Sequence, residues 1–267
     1  MLKFTVLISV CASERPIYFQ ECLQSIIDQS LACSELVLVQ DGPLPIELLS
    51  VIDFYSRELP IVSVVLDENE GLAAALNRGL GYCTHDIVAR MDTDDICIFD
   101  RFEKQILFMQ QNPDVDVLGA WIEEYDVTMT KSLGVRYTPL DSTKIMRFAR
   151  RRSPISHPSV MFRKSAVLAV GGYPNFRKAQ DYALWSLMLT QGYKMQNLGE
   201  VLLKMRAGDG LLERRGGEYL KHELRILKYQ YEIGFINSVE YVTNYIARSV
   251  VRLSPPTFKR IFYRLWR

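Results

Sequence analysis

One run of nine residues, Ile87 to Asp95, constrains the fold of this 267-residue chain more than any other. It begins with apolar residues and ends in three carboxylates within four positions, those of Asp92, Asp94 and Asp95. A short apolar run between polar turns predicts a buried strand, so the carboxylates should lie together at its end. Close carboxylates raise one another's pKa unless a cation holds them, and a hard divalent ion suits them. The run therefore predicts either a magnesium or manganese site, or a turn in which Asp94 or Asp95 caps a helix that begins near Phe99.

The first 100 residues alternate between strand-like and helix-like segments. Strands are predicted over 4–10, 36–40, 61–66 and 86–91, and helices from Pro16 and over 46–55 and 72–82. Such βα repeats are typical of a parallel sheet, whose ligands bind beyond the carboxyl ends of its strands. Those ends carry Glu14, Asp41, Asn69 and the Asp92 cluster. We therefore expect these polar groups to face one crevice of a nucleotide-binding α/β domain.

The second half of the chain has a different character. After a helix over 99–111 and a strand over 115–120, the regular alternation stops. Four arginines between 147 and 152 precede a strand over 159–162, and a helix with an aromatic face follows over 181–189. Two glycine-rich stretches, 208–210 and the basic 214–217, indicate either a mobile loop near an anion or plain turns.

Composition and charge exclude several classes of protein. The formal net charge is +1, which argues against nucleic acid as a partner. Five cysteines without a CxxC pair argue against a disulfide framework and a zinc site, and favour a reducing compartment. No signal peptide and no stretch of ~20 apolar residues is visible, so any membrane contact should be peripheral.

The last residues form a basic, aromatic segment. A helix over 257–267 would place Phe258, Ile261, Phe262, Leu265 and Trp266 opposite Lys259, Arg260, Arg264 and Arg267. This pattern is typical of helices that lie in a membrane interface, and also of a packed terminal helix with a solvated basic face.

Taken together, these stretches resemble the inverting family-two glycosyltransferases, whose fold is called GT-A. The ordered blocks that carry the resemblance are VLISV at 6–10 with Glu14 and Pro16, VLVQDG at 37–42, NEGLAAALNRG at 69–79, ARMDTDD at 89–95, HPSVMF at 157–162, GGY at 171–173, and QDY with LW at 180–185. DGP at 41–43, RRGG at 214–217 and YLK at 219–221 narrow the resemblance to bacterial enzymes that extend lipid-linked O-antigen or exopolysaccharide units.

The resemblance implies a domain plan and partners. Residues 1–215 would form the GT-A domain, a Rossmann-like sheet with helices on both faces, in which 1–100 bind the donor and 101–215 the acceptor. Residues 216–267 would form a C-terminal helical extension. The donor would be a UDP-sugar, with galactose or glucose as the transferred hexose, and the acceptor a lipid-diphosphate-linked saccharide. The enzyme would lie in the cytoplasm, peripherally at the inner face of the cell membrane.

The resemblance also implies a role for each matching residue. Asp41 would bind the uracil ring, Asp92 would lie near the ribose, Asp94 would hold a manganese or magnesium ion, and Asp95 is a second possible ligand. Asp181 would be the base, although as an Asp at a helix start it could equally be a cap. The other donor-binding residues would be Val10, Glu14, Asn69, Gly71, Asn77 and Thr93. His157 would contact acceptor or phosphate. Independently of the resemblance, Arg206, Arg214 or Arg215 could meet the phosphates directly, because guanidinium binds phosphate in a bidentate way.

Three other classes compete with this interpretation. A phosphatase of the haloacid dehalogenase type also has an acidic motif after a strand, but on its first strand, whereas three βα units precede Asp92 here. A sugar-nucleotide pyrophosphorylase would need a glycine-rich loop after the first strand, and residues 11–16 contain no glycine. A catalytically inactive nucleotide-sugar-binding module is the third, and release of UDP from a UDP-sugar separates it from an enzyme.

Overall fold

The computed structural model describes residues 2–207 and 217–253. Arg214, Arg215 and the predicted helix over 257–267 lie outside these residues. The strands are β1 (Phe4–Val10), β2 (Glu35–Gln40), β3 (Ile61–Val65), β4 (Ile87–Arg90), β5 (Ile96–Cys97), β6 (Val117–Tyr125), β7 (Ser132–Arg136), β8 (Met161–Arg163) and β9 (Met195–Arg206). The helices are α1 (Pro16–Ile27), α2 (Ile46–Tyr55), α3 (Leu72–Tyr82), α4 (Arg101–Gln111), α5 (Ser142–Ala149), α6 (Lys164–Ala169), α7 (Gln180–Thr190), α8 (Gly217–Glu232) and α9 (Ser238–Leu253), with a 3-10 turn at His157–Ser159.

One mixed sheet runs through the described part of the chain. Its strand order is β3-β2-β1-β4-β8-β6-β9-β5, and β7 pairs with β6. The strands β3, β2, β1 and β4 are mutually parallel, as the sequence predicted. Beyond β4 the direction changes, because β8 pairs antiparallel with both β4 and β6. The donor and acceptor halves predicted from the sequence therefore share a single sheet.

Helices cover both faces of this sheet, which confirms the predicted α/β class. Alternate residues of β1 point to opposite faces, as the strand period of two requires. Val6 and Ile8 pack in a core with α1, α2 and α4, whereas Leu7 packs in a second core with α3, α5, α6 and α7. β1 and β2 are almost wholly buried because helices lie on both sides of them.

The C-terminal helices α8 and α9 pack onto the second core. Leu227 of α8 and the turn residues Phe235 and Ile236 are buried there. Gln230 donates a 2.7 Å hydrogen bond to the Ser186 hydroxyl of α7. The boundary predicted between 215 and 216 falls outside the described residues and stays a prediction.

The helix that follows the acidic run begins later than predicted. α4 starts at Arg101 with Asp100 at its N-cap, and the short strand β5 separates it from Asp95. The alternative in which Asp94 or Asp95 caps this helix is therefore wrong. The Asp94 and Asp95 carboxylates lie in the loop between β4 and β5 and do not cap α4.

Candidate active site

The carboxyl ends of β1 and β2 meet the start of α3 around Asp41. Its carboxylate accepts hydrogen bonds from the backbone N–H groups of Glu70 at 2.7 Å and Gly71 at 3.1 Å, at the start of α3. A negative charge is favourable at a helix N-terminus, and here it comes from another loop because Gly71 has no side chain to cap the helix. The Asn69 amide donates to the Asp41 carbonyl at 3.2 Å. The predicted donor-binding residues Asp41, Asn69 and Gly71 therefore form one connected group.

Val10 joins the same group through its backbone. The Asp41 N–H donates to the Val10 carbonyl at 2.8 Å. The Val10 side chain itself is completely buried in the core. Only the backbone of Val10 can therefore meet a ligand.

Four carboxylates gather at the ends of β1 and β4. Burial raises the pKa of Glu14, the nearby Asp92 charge adds to this, and a hydrogen bond with Thr93 opposes it. Burial likewise raises the pKa of Asp94 to about 6, with further increases from Asp92 and Glu14. Burial also raises the pKa of Asp95 well above its ordinary value. The cluster therefore carries more negative charge than its surroundings neutralise, and would gain from a cation.

A buried arginine that the sequence analysis did not single out holds Asp92. The Arg90 side chain is only 2% exposed, while that of Asp92 is 38% exposed. Both terminal nitrogens of Arg90 donate to the Asp92 carboxylate, one of them at 2.8 Å, in the bidentate arrangement that guanidinium favours. Burial leaves the Arg90 Nε without a hydrogen-bond partner. Arg90 therefore fixes the carboxylate that was predicted to lie near the ribose.

Arg206 is held against the acidic loop by several side-chain contacts. Its side chain is 4% exposed, donates from Nε to the Asp94 carbonyl at 3.0 Å, and donates from its other nitrogens to Glu21 and to the Val127 carbonyl. The guanidinium also lies 3.9 Å from the centre of the Tyr18 ring. Each of the three side-chain nitrogens makes one of these hydrogen bonds, so Arg206 anchors the acidic loop, and its predicted contact with phosphate stays a prediction.

Asp95 follows Asp94 in this loop and is almost completely buried. One of its oxygens accepts the Arg206 backbone N–H at 2.9 Å, and the other is buried without a hydrogen-bond partner. Within the described residues, no group of three or more His, Cys, Asp or Glu side chains is arranged to hold a metal ion. An unpartnered carboxylate oxygen beside the carboxylate of Asp94 nevertheless fits a divalent ion that takes its remaining ligands from a diphosphate and water.

Asp181 lies at the second position of α7, in the half of the chain that was predicted to bind the acceptor. The N-cap of α7 is Ala179, which adopts a left-handed conformation with φ of 59°. Asp181 is therefore not the N-cap, although the N–H groups of Asp181 and Tyr182 stabilise its carboxylate. Burial raises the pKa of Asp181, the Arg90 charge opposes this increase, and Asp92 adds to it. Arg90 thus acts electrostatically on both the donor-side Asp92 and the predicted base.

His157 is almost completely buried. Its Nε2 lies 3.0 Å from the Tyr173 hydroxyl, and its ring packs near Trp185. Burial and the nearby Arg90 charge hold the pKa of His157 well below its ordinary value. Burial and a low pKa do not favour a charged contact with phosphate, and the predicted contact of His157 with acceptor or phosphate stays a prediction.

Asn77 joins the two halves of the chain. Its amide donates to the Tyr173 carbonyl at 2.9 Å and accepts from the Tyr173 N–H at 2.7 Å. Gly172 must be glycine here, because its φ is 79° and a Cβ would lie 2.4 Å from the Asn77 Oδ1. Asn77 also lines a shallow cavity between α3 and this turn. The structure thus gives Asn77 a clamping role, and its predicted contact with the donor stays a prediction.

Sequence reasoning missed Arg90, Tyr173 and Arg101, which lie around the site. Arg101 donates to the Arg90 carbonyl at 2.8 Å and is completely buried. One signal was available: a charged residue inside an otherwise apolar strand must find a partner, and Asp92 lies two positions away on the same side.

Comparison with known proteins gives concordant matches. The family model described as Glycosyl transferase family 2 matches residues 5–171. The chain is 39% identical over 264 residues to the amylovoran biosynthesis glycosyltransferase AmsE of Erwinia amylovora, with 97% of each chain covered. It is 37% identical over 263 residues to the UDP-Gal:alpha-D-GlcNAc-diphosphoundecaprenol beta-1,3-galactosyltransferase of Escherichia coli, covering 98% of this chain and 95% of that protein.

Solved structures show the same fold. S. aureus TarS 1-349 in complex with UDP-GlcNAc superposes with a TM-score of 0.69 at 16% identity, covering 93% of this chain and 73% of that one. The mannosyltransferase PcManGT from Pyrobaculum calidifontis, in complex with GDP-Man and Mn²⁺, gives 0.66 at 16% identity, with coverage of 98% and 79%. The fold is GT-A, as the sequence predicted.

Proposed function

The chain belongs to glycosyl transferase family 2, and on that premise we propose that it is an inverting hexosyltransferase. The donor is a UDP-sugar, with galactose or glucose transferred, and the acceptor is a lipid-diphosphate-linked saccharide of surface polysaccharide synthesis. The observation that carries the proposal is the arrangement around Arg90, which pairs with Asp92 and influences the pKa of Asp181. The buried Arg90 thus binds the Asp92 carboxylate directly, and its charge lowers the pKa of the candidate base Asp181.

The donor occupies the group formed at the ends of β1, β2 and β4. Asp41 accepts a hydrogen bond from the uracil ring while keeping its two bonds to the start of α3. Each carboxylate oxygen has a second lone pair, so both roles are compatible. Asp92, held by Arg90, meets the ribose, and Glu14 and Thr93 border it.

Asp94, with Asp95 as a second candidate, would hold a divalent ion. When bound, manganese or magnesium supplies Lewis-acid neutralisation of the charge that develops on the departing UDP. The raised pKa of Asp94 and the unpartnered oxygen of Asp95 support this assignment. Arg206 fixes the position of both residues, because its backbone N–H binds the Asp95 carboxylate and its Nε binds the Asp94 carbonyl.

Transfer proceeds by one displacement at the anomeric carbon. The acceptor oxygen forms a bond to that carbon as the bond to the UDP oxygen breaks, and UDP leaves with the electron pair. Asp181 takes the proton of the acceptor hydroxyl. Its pKa, raised by burial, supports this role, because a base with a higher pKa binds the proton better.

The names of the two relatives support the acceptor class. One includes amylovoran biosynthesis, and the other includes a diphosphoundecaprenol acceptor and UDP-Gal. A polyprenyl diphosphate stays in a bilayer, so the enzyme works at the inner face of the cell membrane as a peripheral protein. Among the described residues, no helix is long and apolar enough to cross a membrane.

Release of UDP tests the proposal. UDP-galactose and UDP-glucose are each supplied with N-acetylglucosamine on a short-chain lipid diphosphate, with manganese and then with excess chelator. We expect acceptor-dependent UDP release that chelator suppresses. Asp94→Ala should lose both transfer and metal-dependent UDP binding, whereas Asp181→Asn should lose transfer but retain UDP binding. Full activity in Asp181→Asn would remove the base assignment, and no turnover of any UDP-sugar would favour an inactive module.

A further inference from the structure

Tyr173 is held from two sides, by α3 and by the 3-10 turn. The Asn77 side chain of α3 accepts from the Tyr173 N–H at 2.7 Å and donates to the Tyr173 carbonyl at 2.9 Å. The Tyr173 hydroxyl lies 3.0 Å from Nε2 of His157, the first residue of the 3-10 turn. Tyr173 is only 2% exposed. Its backbone therefore belongs to the contact with α3, while its hydroxyl crosses the interior to His157.

His157 connects this hydroxyl to two elements that carry site residues. The Arg90 N–H of β4 donates to the Val160 carbonyl at 2.9 Å, and the Val160 N–H donates to the His157 carbonyl at 3.3 Å. The imidazole packs edge-on against Trp185 of α7, with 6.2 Å between the ring centres. Trp185 is completely buried and follows Asp181 by four residues, so both side chains lie on the same face of α7. The Tyr173–His157 pair is thus linked to both β4 and the helix of the proposed base.

The 3-10 turn that carries His157 is fixed by buried hydrogen bonds. The Ser159 hydroxyl donates to the Ala120 carbonyl of β6 at 3.0 Å, and the Gln105 amide of α4 donates to the Ser159 carbonyl at 2.8 Å. All three residues are completely buried. Because a buried polar group is costly to leave without a partner, this turn has little freedom to move. It therefore provides a fixed support for the imidazole.

The charges of the site act on this pair. Burial raises the pKa of Tyr173, the Arg90 charge lowers it, and the charges of Asp181 and Asp92 raise it. Burial and the Arg90 charge lower the pKa of His157. Tyr173 and His157 are therefore both neutral at neutral pH, and their hydrogen bond adds no charge to the site. Such a pair can fix the geometry of the charged groups without changing their ionisation.

We propose that Tyr173 is a positioning residue for transfer, whose hydrogen bond to His157 holds α7 and Asp181 at the correct distance from the donor residues near α3 and β4. A single displacement needs the base and the reacting atoms in line, and misplacement by about 1 Å can lower a rate by about 100-fold. The inference rests on the proposed function for the identity of the base. Loss of the hydroxyl should lower the rate but spare donor binding, since the hydrogen bonds that fix Asp41 and Asp92 do not involve Tyr173.

Tyr173→Phe tests the inference in the full chain, because it removes the hydroxyl and keeps the ring and the backbone contacts with Asn77. We expect kcat to fall about tenfold, while KM for the UDP-sugar and the affinity for UDP stay within about twofold. The acidic limb of the pH–rate profile should not move, because the lost group is neutral. Tyr55→Phe is the matched control and should equal the wild type, since Tyr55 is 7% exposed and its hydroxyl contacts Gln24 in the other core. A wild-type kcat in Tyr173→Phe overturns the inference.

A double-mutant cycle tests whether the hydrogen bond itself carries the effect. His157→Phe should lower kcat as much as Tyr173→Phe, and the double variant should lose about tenfold rather than about a hundredfold, because both changes remove the same interaction. His157→Gln should retain most of the wild-type kcat, since its amide can replace Nε2 as the partner of the hydroxyl. Losses that multiply overturn the inference. So does a raised KM for the acceptor with unchanged kcat, which would instead place His157 in contact with the acceptor.

Amide hydrogen exchange separates failure of this inference from failure of the proposed function. In Tyr173→Phe the amides of α7 should exchange about tenfold faster, while those of β1 and α2 should not change, because the lost contact loosens α7 locally. If the wild type releases no UDP from any UDP-sugar, the proposed function fails, whereas exchange in α7 still decides whether Tyr173 positions this helix. Unchanged exchange in α7 overturns the inference.

Discussion

Replacing Asp94 with asparagine should stabilise the metal-free protein while abolishing its activity. Burial and the neighbouring charges raise the pKa of Asp94 from 3.8 to about 6, so the folded protein holds an unfavourable charge at neutral pH. A pKa raised by about two corresponds to roughly 3 kcal/mol of free energy. Solvent screening of this partly exposed side chain reduces the expected gain to about 1–2 kcal/mol.

The pH dependence of this gain has a definite sign. Above pH 6 the Asp94 carboxyl is ionised in both folded and unfolded chains, so its full cost is present and Asp94→Asn gains most. As the pH falls below 6, the folded wild type takes up a proton and the difference shrinks, and it vanishes below the unfolded value of 3.8. Urea unfolding at pH 7.5 and 4.5 with chelator present measures both points. Asp67→Asn, an exposed carboxylate outside the cluster, is the control.

Metal should reverse the order of stability. With manganese and UDP, the wild type should gain stability by binding, whereas Asp94→Asn should gain less because it lacks a charged ligand. Transfer activity should be lost in the variant, as is common where an active site stores unfavourable charge. If Asp94→Asn unfolds at the same or a lower urea concentration than the wild type at pH 7.5 without metal, the reasoning is refuted.

Three other substitutions test the site and its support. Arg90→Met should lower kcat about tenfold or more and move the acidic limb of the pH–rate profile to higher pH, because the charge that lowers the pKa of Asp181 is gone. An unmoved limb would contradict the electrostatic link. Asp41→Asn should cost about 1–2 kcal/mol in urea unfolding and weaken UDP binding, since an amide offers one acceptor oxygen to the start of α3; unchanged UDP affinity would argue against the uracil contact. Gly79→Ala should cost about 1–3 kcal/mol, because its Cβ would lie 2.5 Å from Leu7 and 2.7 Å from Val39, and an unchanged unfolding midpoint would show that α3 can move aside.

The first half of the fold was predictable because the local sequence of each segment determines its secondary structure. The helices at 46–55 and 72–82 have the predicted bounds, and the strands of the parallel sheet agree within a residue or two. Continuous apolar runs, Pro16 at a helix start and polar turns left few alternatives. The ends of parallel strands share one edge, which brought Asp41 and Asn69 together as expected.

The second half was harder because its strands depend on distant partners. The sequence analysis missed β9, which pairs with β6 through register shifts near Trp121 and carries Gly199 and Glu200 in its middle. Those residues disfavour a strand locally. β5 has two residues and exists only because β9 lies beside it.

The same difference between local sequence and distant contacts applies to the site residues. Local sequence identified the carboxylates, but it could not show which of the cationic and imidazole groups would be buried. Arg206 was predicted to bind phosphate because guanidinium commonly does, and local sequence did not reveal its tertiary contacts with Glu21 and Asp94. His157 was assigned by resemblance, and burial next to Arg90 keeps it neutral. Burial is a property of the assembled fold, and periodicity does not report it.

The clamp between Asn77 and the Gly172-Tyr173 turn sets a rule for exchanging parts between relatives. In a chimera that joins the second half of another family member to this first half, Asn77 and Tyr173 would come from different parents. Their contact depends on the Asn77 side-chain amide and the Tyr173 backbone. Any residue other than glycine at position 172 would push the Asn77 Oδ1 out of place. Grafts that change acceptor specificity should therefore carry positions 77 and 172 as an inseparable pair, whichever parent supplies them.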